Sequence, residues 1–291
     1  MRKKLSDYEC GERLRERRKE CGLTQAQLAD KIDELDEETQ VDSTNKNRRP
    51  RSEKQISYLE DQDETMGQSH NVICELPGET DEWIALTAHY DTTSLSTGAY
   101  DNMSGCIGLL GIAEAFAKKP RRYGLRLIFC GSEERGLLGS KAYCAAHEAE
   151  LAKVVLNVNL DMIGSIMGPF NAICTTEERL VHYIEYLASM EGFSLKARQD
   201  IYSSDSTPFA DKGVPAVSFA RNATPNTATI HNSYDTLKVM SAVQLGRDID
   251  FICAFVGSMS AAALCPVKRV MPDNMKEKLD NYLLRKRPKD A

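Results

Sequence analysis

No run of apolar residues in this chain approaches the roughly 18 needed to span a bilayer. The amino terminus, M-R-K-K-L-S-D-Y-E, also lacks the apolar core of a secretory signal. These absences predict a cytoplasmic protein with no membrane partner. The nine cysteines include no C-x-x-C pair, and several fall inside apolar strings such as Leu127-Ile128-Phe129-Cys130, which argues for reduced core thiols and against a disulfide frame. Charge of one sign is not concentrated either. Residues 1–54 sum to +1 and the remainder to −7, within a net charge of −6, so neither part is a basic surface made for nucleic acid. The 291 residues suffice for one large domain, or for a domain with a small appendage.

What the chain does have is concentrated between Thr87 and Gly105, T-A-H-Y-D-T-T-S-L-S-T-G-A-Y-D-N-M-S-G. The preceding Trp83 to Ala88 reads as a buried strand, and Ser104 to Lys118 reads as a helix. His89 and Asp91 would then emerge at a strand's carboxyl end, where open α/β sheets place their ligand sites. A histidine and two aspartates in such a loop suit a metal ion, provided that matching ligands occur further along.

Residues 9–32 form a separate unit. Leu14 to Glu20 reads as a helix ending at Gly22, and a second helix begins at Thr24 with a capping box closed by Gln27. The string R-E-R-R-K-E-C-G-L-T-Q-A-Q-L-A-D-K-I resembles the first two helices of the phage-repressor (Cro/C1-type) helix-turn-helix family. The next stretch, Asp33 to Glu38, is acidic, and only the later Gln55 to Glu60 resembles a third, base-reading helix. DNA is therefore a minor candidate partner, reached only through this fragment.

From Asn71 onward, strands and helices alternate. Strands are expected at 72–78, 83–88, 125–131, 154–159 and 216–219, and helices at about 104–118, 137–149, 177–190, 206–212 and 241–263. That order implies a sheet with helices on both faces. The strand ends carry Glu133-Glu134, Asp161 and, beyond the last strand, His231. Two histidines and several carboxylates, with no cysteine among them, suit a pair of divalent ions such as zinc, cobalt or manganese.

The motifs H-Y-D, G-A-Y-D-N-M-S-G, E-E-R-G-L-L-G-S, N-L-D-M-I-G and H-N-S-Y-D-T, in this order across about residues 71–263, resemble those of the M28 zinc aminopeptidases. The resemblance implies an α/β three-layer sandwich around a mixed, mostly parallel sheet, here with a small α-helical amino-terminal appendage. It divides the chain into a helix-turn-helix-like, incomplete segment at 1–65, a metallopeptidase domain at 66–265 and a tail at 266–291. It further implies two metal ions, zinc first, with Asp101 bridging them. His89 and Asp161 would complete one site, and Glu134 and His231 the other. Glu133 would be the general base and Asp91 an orienting partner behind His89. Chemistry agrees, because a base must lie near the attacking water yet off the metals. The expected substrates are peptides with a free amino terminus.

Some features depart from that pattern. Some relatives have tyrosine where Ile230 stands, which leaves Tyr202 or Tyr234 as candidates to polarise the carbonyl, and the family commonly has histidine where Ser206 stands. His70, His147 and His182 match no motif and read as incidental, and Ser104 reads as structural. The tail from Pro266 reads as a loop and a short basic helix. Two other functions compete with an aminopeptidase. One is a glutaminyl-cyclase-like acyl transferase on the same fold, whose members commonly use one zinc. The other is a DNA-binding regulator with an inactive peptidase-like sensor, disfavoured because no ligand or base is missing.

Overall fold

The computed structural model describes residues 68–223, 228–283 and 285, and the helix-turn-helix-like stretch lies outside them. Seven strands form one sheet: β1 (Val72–Leu76), β2 (Trp83–His89), β3 (Gly124–Cys130), β4 (Val154–Leu160), β5 (Phe170–Cys174), β6 (Leu195–Gln199) and β7 (Ala216–Arg221). Six α-helices accompany them: α1 (Ser104–Phe116), α2 (Leu138–Ala146), α3 (Glu178–Met190), α4 (Ser206–Asp211), α5 (Ala242–Ala261) and α6 (Asp273–Tyr282). The strand order is β1-β3-β2-β4-β7-β5-β6. The central β3, β2, β4 and β7 run parallel, β1 lies antiparallel to β3, and β5 lies antiparallel to β7. The expected mixed, mostly parallel sheet is therefore present.

Period-two alternation along the strands sorts side chains onto two cores. Ile84, Leu86 and Ala88 of β2 join a large cluster with Leu109 and Ile112 of α1, Ile184 of α3, and Phe255 and Met259 of α5. On the other face, Ala85 and Ile128 pack with Tyr143 of α2 and Phe209 of α4. Helices thus cover both faces. Burying each leucine or isoleucine is worth about 1.5–3 kcal/mol. A bulge in β4 sets Trp83 opposite Val154 but Ile84 opposite Leu156. Val154 consequently belongs to the second core and Leu156 to the first.

One patch on the α2/α4 face is polar. Thr87 donates its hydroxyl to Asn159 Oδ1 at 2.8 Å and accepts from Asn157 Nδ2 at 3.1 Å. Asn159 reaches Ser218 at 3.5 Å, and Ser218 bonds Ser206 at 2.8 Å and Ser204 at 3.0 Å. Thr87, Asn157, Asn159 and the three serines are all buried. Mutual hydrogen bonding is what makes that burial tolerable.

Two strands were not expected. β5 is a fully buried run of five residues, F-N-A-I-C, too short for periodicity to separate from a loop. β6 has the exposed Lys196 and Arg198 on one side, as suits the edge of a sheet. The tail from Pro266 packs onto the domain. Thr176 donates its hydroxyl toward the carbonyls of Lys268 and Val270, Arg269 binds the Leu151 and Val154 carbonyls, and Met275 and Leu279 of α6 are buried. The helix α6 is mixed in charge; the basic run begins only after it. Among the described residues, no helix is long and apolar enough to cross a membrane.

The chain leaves β2 for β3 on one side and later returns to β4 on the other. That reversal opens a crevice at the carboxyl ends of the central strands.

Candidate metal centre

His89, the last residue of β2, is buried, and its Nδ1 lies 3.0 Å from the Asp91 main-chain carbonyl. A carbonyl only accepts, so Nδ1 carries a proton, and Nε2 is the nitrogen that offers a lone pair once its own proton is lost. That nitrogen faces three carboxylates: Asp101 Oδ1 at 3.1 Å, Asp161 Oδ1 at 3.6 Å and Glu133 Oε2 at 4.0 Å. Asp101 turns its other oxygen, Oδ2, to His231 Nε2 at 3.1 Å, and Glu134 Oε2 lies 3.0 Å from the same nitrogen.

The loop that carries Asp101 is held closely. Gly98 has φ +65°, and a Cβ there would lie 2.8 Å from Thr92 Cβ. The Asp101–Asn102 peptide is cis. The buried Asn102 donates to the Leu160 carbonyl at 2.9 Å and accepts from the Gly105 and Met162 amides at 3.0 and 3.1 Å. It thereby ties the start of α1 to the end of β4, beside Asp161. Ser104, as expected, is structural: its hydroxyl donates to the Tyr100 carbonyl at 2.7 Å and accepts from the Ile163 amide at 3.2 Å. Gly105 allows the approach, since a Cβ there would sit 2.4 Å from the Leu160 carbonyl oxygen.

Asp91 differs from expectation. Its carboxylate stands 3.8 Å from His89 Nδ1 and instead accepts the main-chain N–H groups of Glu133 and Glu134, at 2.9 and 3.2 Å. The imidazole is oriented by the Asp91 backbone, and the Asp91 side chain fixes the pair of glutamates. A spacing of two residues could not distinguish those roles. Left-handed backbone recurs at Ser132, Met162 and His231, each beside or at one of these side chains, as strained backbone often is at functional sites.

The crowding of like charges is visible in the protonation equilibria. Burial pushes Glu133 up to about 8, and Asp161, Asp205 and Glu134 add to the shift against the lowering by His89. Glu134 and Asp161 are raised by burial first. Burial opposes charge on His89, but hydrogen bonding to Asp101 and Asp161 outweighs it and holds the imidazole well above its usual range. Among the described residues, no lysine or arginine forms an ion pair with Asp101, Glu133, Glu134 or Asp161. Ligand atoms of His89, Glu133 and Asp161 lie within 4.8 Å of one another, as do those of Asp101, Glu134 and His231, and Glu134 Oε1 is buried without a partner. Anionic oxygens and imidazoles with an orphaned acceptor fit divalent cations.

The remaining candidates separate clearly. His147 stacks on Tyr143 and pairs with Glu150, while His70 and His182 are exposed. Tyr234 is exposed, whereas burial raises the Tyr202 hydroxyl far above the ordinary range, with Asp161 and Asp101 contributing. Ser206 belongs to the hydroxyl cluster under the sheet end. Sequence reasoning missed Asp205, Asn102 and Asp235. Asp205 is buried, accepts the Ser140 hydroxyl at 2.5 Å and is raised by burial to about 6.

Residues 71–256 match the model of peptidase family M28. Aminopeptidase YwaD of Bacillus subtilis (strain 168) is 31% identical over 183 residues, 60% of this chain and 40% of that protein. Leucine aminopeptidase 2 of Trichophyton rubrum is 40% identical over 97 residues, 33% of this chain and 20% of that one. Among solved structures, the aminopeptidase from Aneurinibacillus sp. strain AM-1 superposes with a TM-score of 0.62 at 27% identity, over 69% of this chain and 50% of that one. The zinc aminopeptidase BSAP from Bacillus subtilis gives 0.61 at 26% identity, over 68% and 52%. The chain spans about half, or less, of the length of these relatives. The matched span contains every residue of the cluster, and the chain belongs to peptidase family M28.

Proposed function

We propose that this chain is a zinc-dependent aminopeptidase that hydrolyses the first peptide bond of substrates with a free amino terminus. The observation that carries the proposal is the division of the Asp101 carboxylate, one oxygen toward His89 and the other toward His231. A carboxylate so placed suits a bridge between two cations, with His89 and Asp161 on one side and Glu134 and His231 on the other. Divalent cations held there would polarise a carbonyl oxygen and lower the pKa of a water. Relatives described as aminopeptidases, one of them as a zinc enzyme, support the same reading.

The protein's own groups supply the rest. Without a cation, burial and its acidic neighbours raise Glu133 to about 8; bound divalent cations would draw it back toward the carboxylate, which could then accept a proton from water and return it to the departing amine. Asp91 holds the Glu133 amide and so aims that carboxylate. Asp91, Asp101, Glu133, Glu134 and Asp161 would outweigh two divalent cations only slightly, a balance that suits an amino terminus better than an acylated one. Tyr202, set among these acids, is a better placed phenol than the exposed Tyr234 for polarising the carbonyl.

The test is a metal count joined to a substrate comparison. The purified chain should bind two zinc ions and cleave leucyl-anilide but not acetyl-leucyl-anilide. Conversion of an amino-terminal glutamine peptide to its pyroglutamyl form with release of ammonia, without anilide cleavage, would instead identify the cyclase reaction.

A further inference from the structure

Asp235 stands four residues after His231 and is completely buried. Its Oδ1 accepts the main-chain N–H of Tyr100 at 2.7 Å. Its Oδ2 accepts the main-chain N–H of Asp101 at 3.0 Å and the Ser96 hydroxyl at 3.3 Å. Thr97 donates its hydroxyl to the Asp235 carbonyl. Asp235 therefore binds two consecutive amides, the second belonging to the residue whose carboxylate faces both histidines. Among the described residues no cation pairs with it; its charge is met by amides and one hydroxyl, as in an anion-binding turn.

The segment carrying His231 needs such an anchor. The His231 side chain is 52% exposed, its φ is +65°, and its ring is held only by Asp101 and Glu134 among the described ion pairs. Among the described hydrogen bonds, the nearby Asn232 bonds only within its own segment, its side chain to Ile230, Thr229 and Tyr234 and its carbonyl to the Asp235 amide. Asp235 is the residue of this segment that penetrates the domain, and it lands on the backbone of Asp101.

We propose that Asp235 is a positioning residue that couples the two ligand loops, fixing the backbone of Asp101 and the placement of His231 together. The second cation site, formed by Asp101, Glu134 and His231, depends on it more than the first does. The inference rests on the reading of Asp101 as a bridging ligand. An aspartate can accept from both amides, whereas asparagine must turn an NH2 group toward one of them, so Asp235→Asn preserves volume while losing one bond and leaving a buried donor unpaired.

The experiment is calorimetric titration of the metal-free full chain with zinc, repeated with cobalt to follow its visible absorption. Wild type should take up two ions. Asp235→Asn should bind the second about ten- to hundredfold more weakly, with an altered cobalt spectrum and an unchanged circular dichroism. Since Asp235→Asn could fail to fold, Ser96→Ala/Thr97→Val loosens the same attachment from the surface, and a smaller loss confined to the second ion is expected. Two ions bound by wild type and by both variants with equal affinity would overturn the role of Asp235. A wild type that binds fewer than two ions would overturn the bridging reading beneath it.

Discussion

Asp101 and His231 meet at 3.1 Å through Oδ2, while Oδ1 of the same carboxylate lies 3.1 Å from His89. This symmetry makes Asp101 unlike any other side chain of the cluster, because its loss reaches both halves. Asp101→Ala should abolish binding of both ions, whereas His231→Ala should retain the one held by His89 and Asp161. Metal analysis after dialysis against dilute zinc checks this, and an Asp101→Ala protein carrying two ions would end the bridging role.

Glu133 is the residue whose role geometry leaves closest to the line between base and ligand, since its Oε2 lies 4.0 Å from His89 Nε2 within the Asp161 group. As a base, its replacement by glutamine should lower kcat by about 10²- to 10⁴-fold at an unchanged count of two metals. Should Glu133→Gln lose an ion, the glutamate would belong with the ligands.

Stability of the metal-free protein should fall as pH rises. Glu133 moves from 4.5 to about 8 on folding and Asp205 from 3.8 to about 6. In each case the folded chain holds its proton more tightly, so it binds more protons than the unfolded chain between those values and loses stability across them. The raised His89 acts in the same direction, because its protonated form is favoured in the folded state and is lost as pH climbs through its folded pKa. Thermal unfolding in EDTA should show Tm decreasing from about pH 5 to 8. Saturating zinc should reduce or reverse that slope by taking the place of the protons. A Tm that rises with pH in EDTA would contradict this account.

Gly105→Ala tests the close approach of α1 to β4. The added Cβ would meet the Leu160 carbonyl oxygen at 2.4 Å and Asn102 Oδ1 at 2.6 Å, both held in place, so about 1–3 kcal/mol should be lost in urea unfolding. Gly192→Ala has open space around its Cβ but a φ of +61°, so its cost should come from backbone conformation alone and be the smaller of the two. Equal effects would mean that the contact at Gly105 relaxes freely.

The central strands and the residues of the candidate site were legible because apolar runs end in residues of unmistakable chemistry: His89 closes β2, Glu133 and Glu134 follow β3, and Asp161 follows β4. The features that escaped depend on distance across the fold. Asp235 reads as one more acid in a polar loop, yet it is buried against amides 134 and 135 positions away. Asn102 reads as a turn residue, and only the proximity of Leu160 and Met162 reveals what its amide does. Sequence proximity places Asp91 at His89, but its carboxylate faces the amides of Glu133 and Glu134, 42 and 43 residues further on. β5 and β6 were missed because five residues carry too little periodicity to stand out from their surroundings.

The hydroxyl and amide chain from Thr87 through Asn159 to Ser218 crosses β2, β4 and β7. Apolar neighbours would tolerate several alignments of parallel strands, whereas these donors and acceptors match in only one. A slip of one residue would turn them to the opposite face and shift one strand end against the next by about 3.3 Å. His89 and the residue after β4, Asp161, would then stand at different heights. The buried polar chain thus works as an alignment key, setting the residues of the candidate site level with one another.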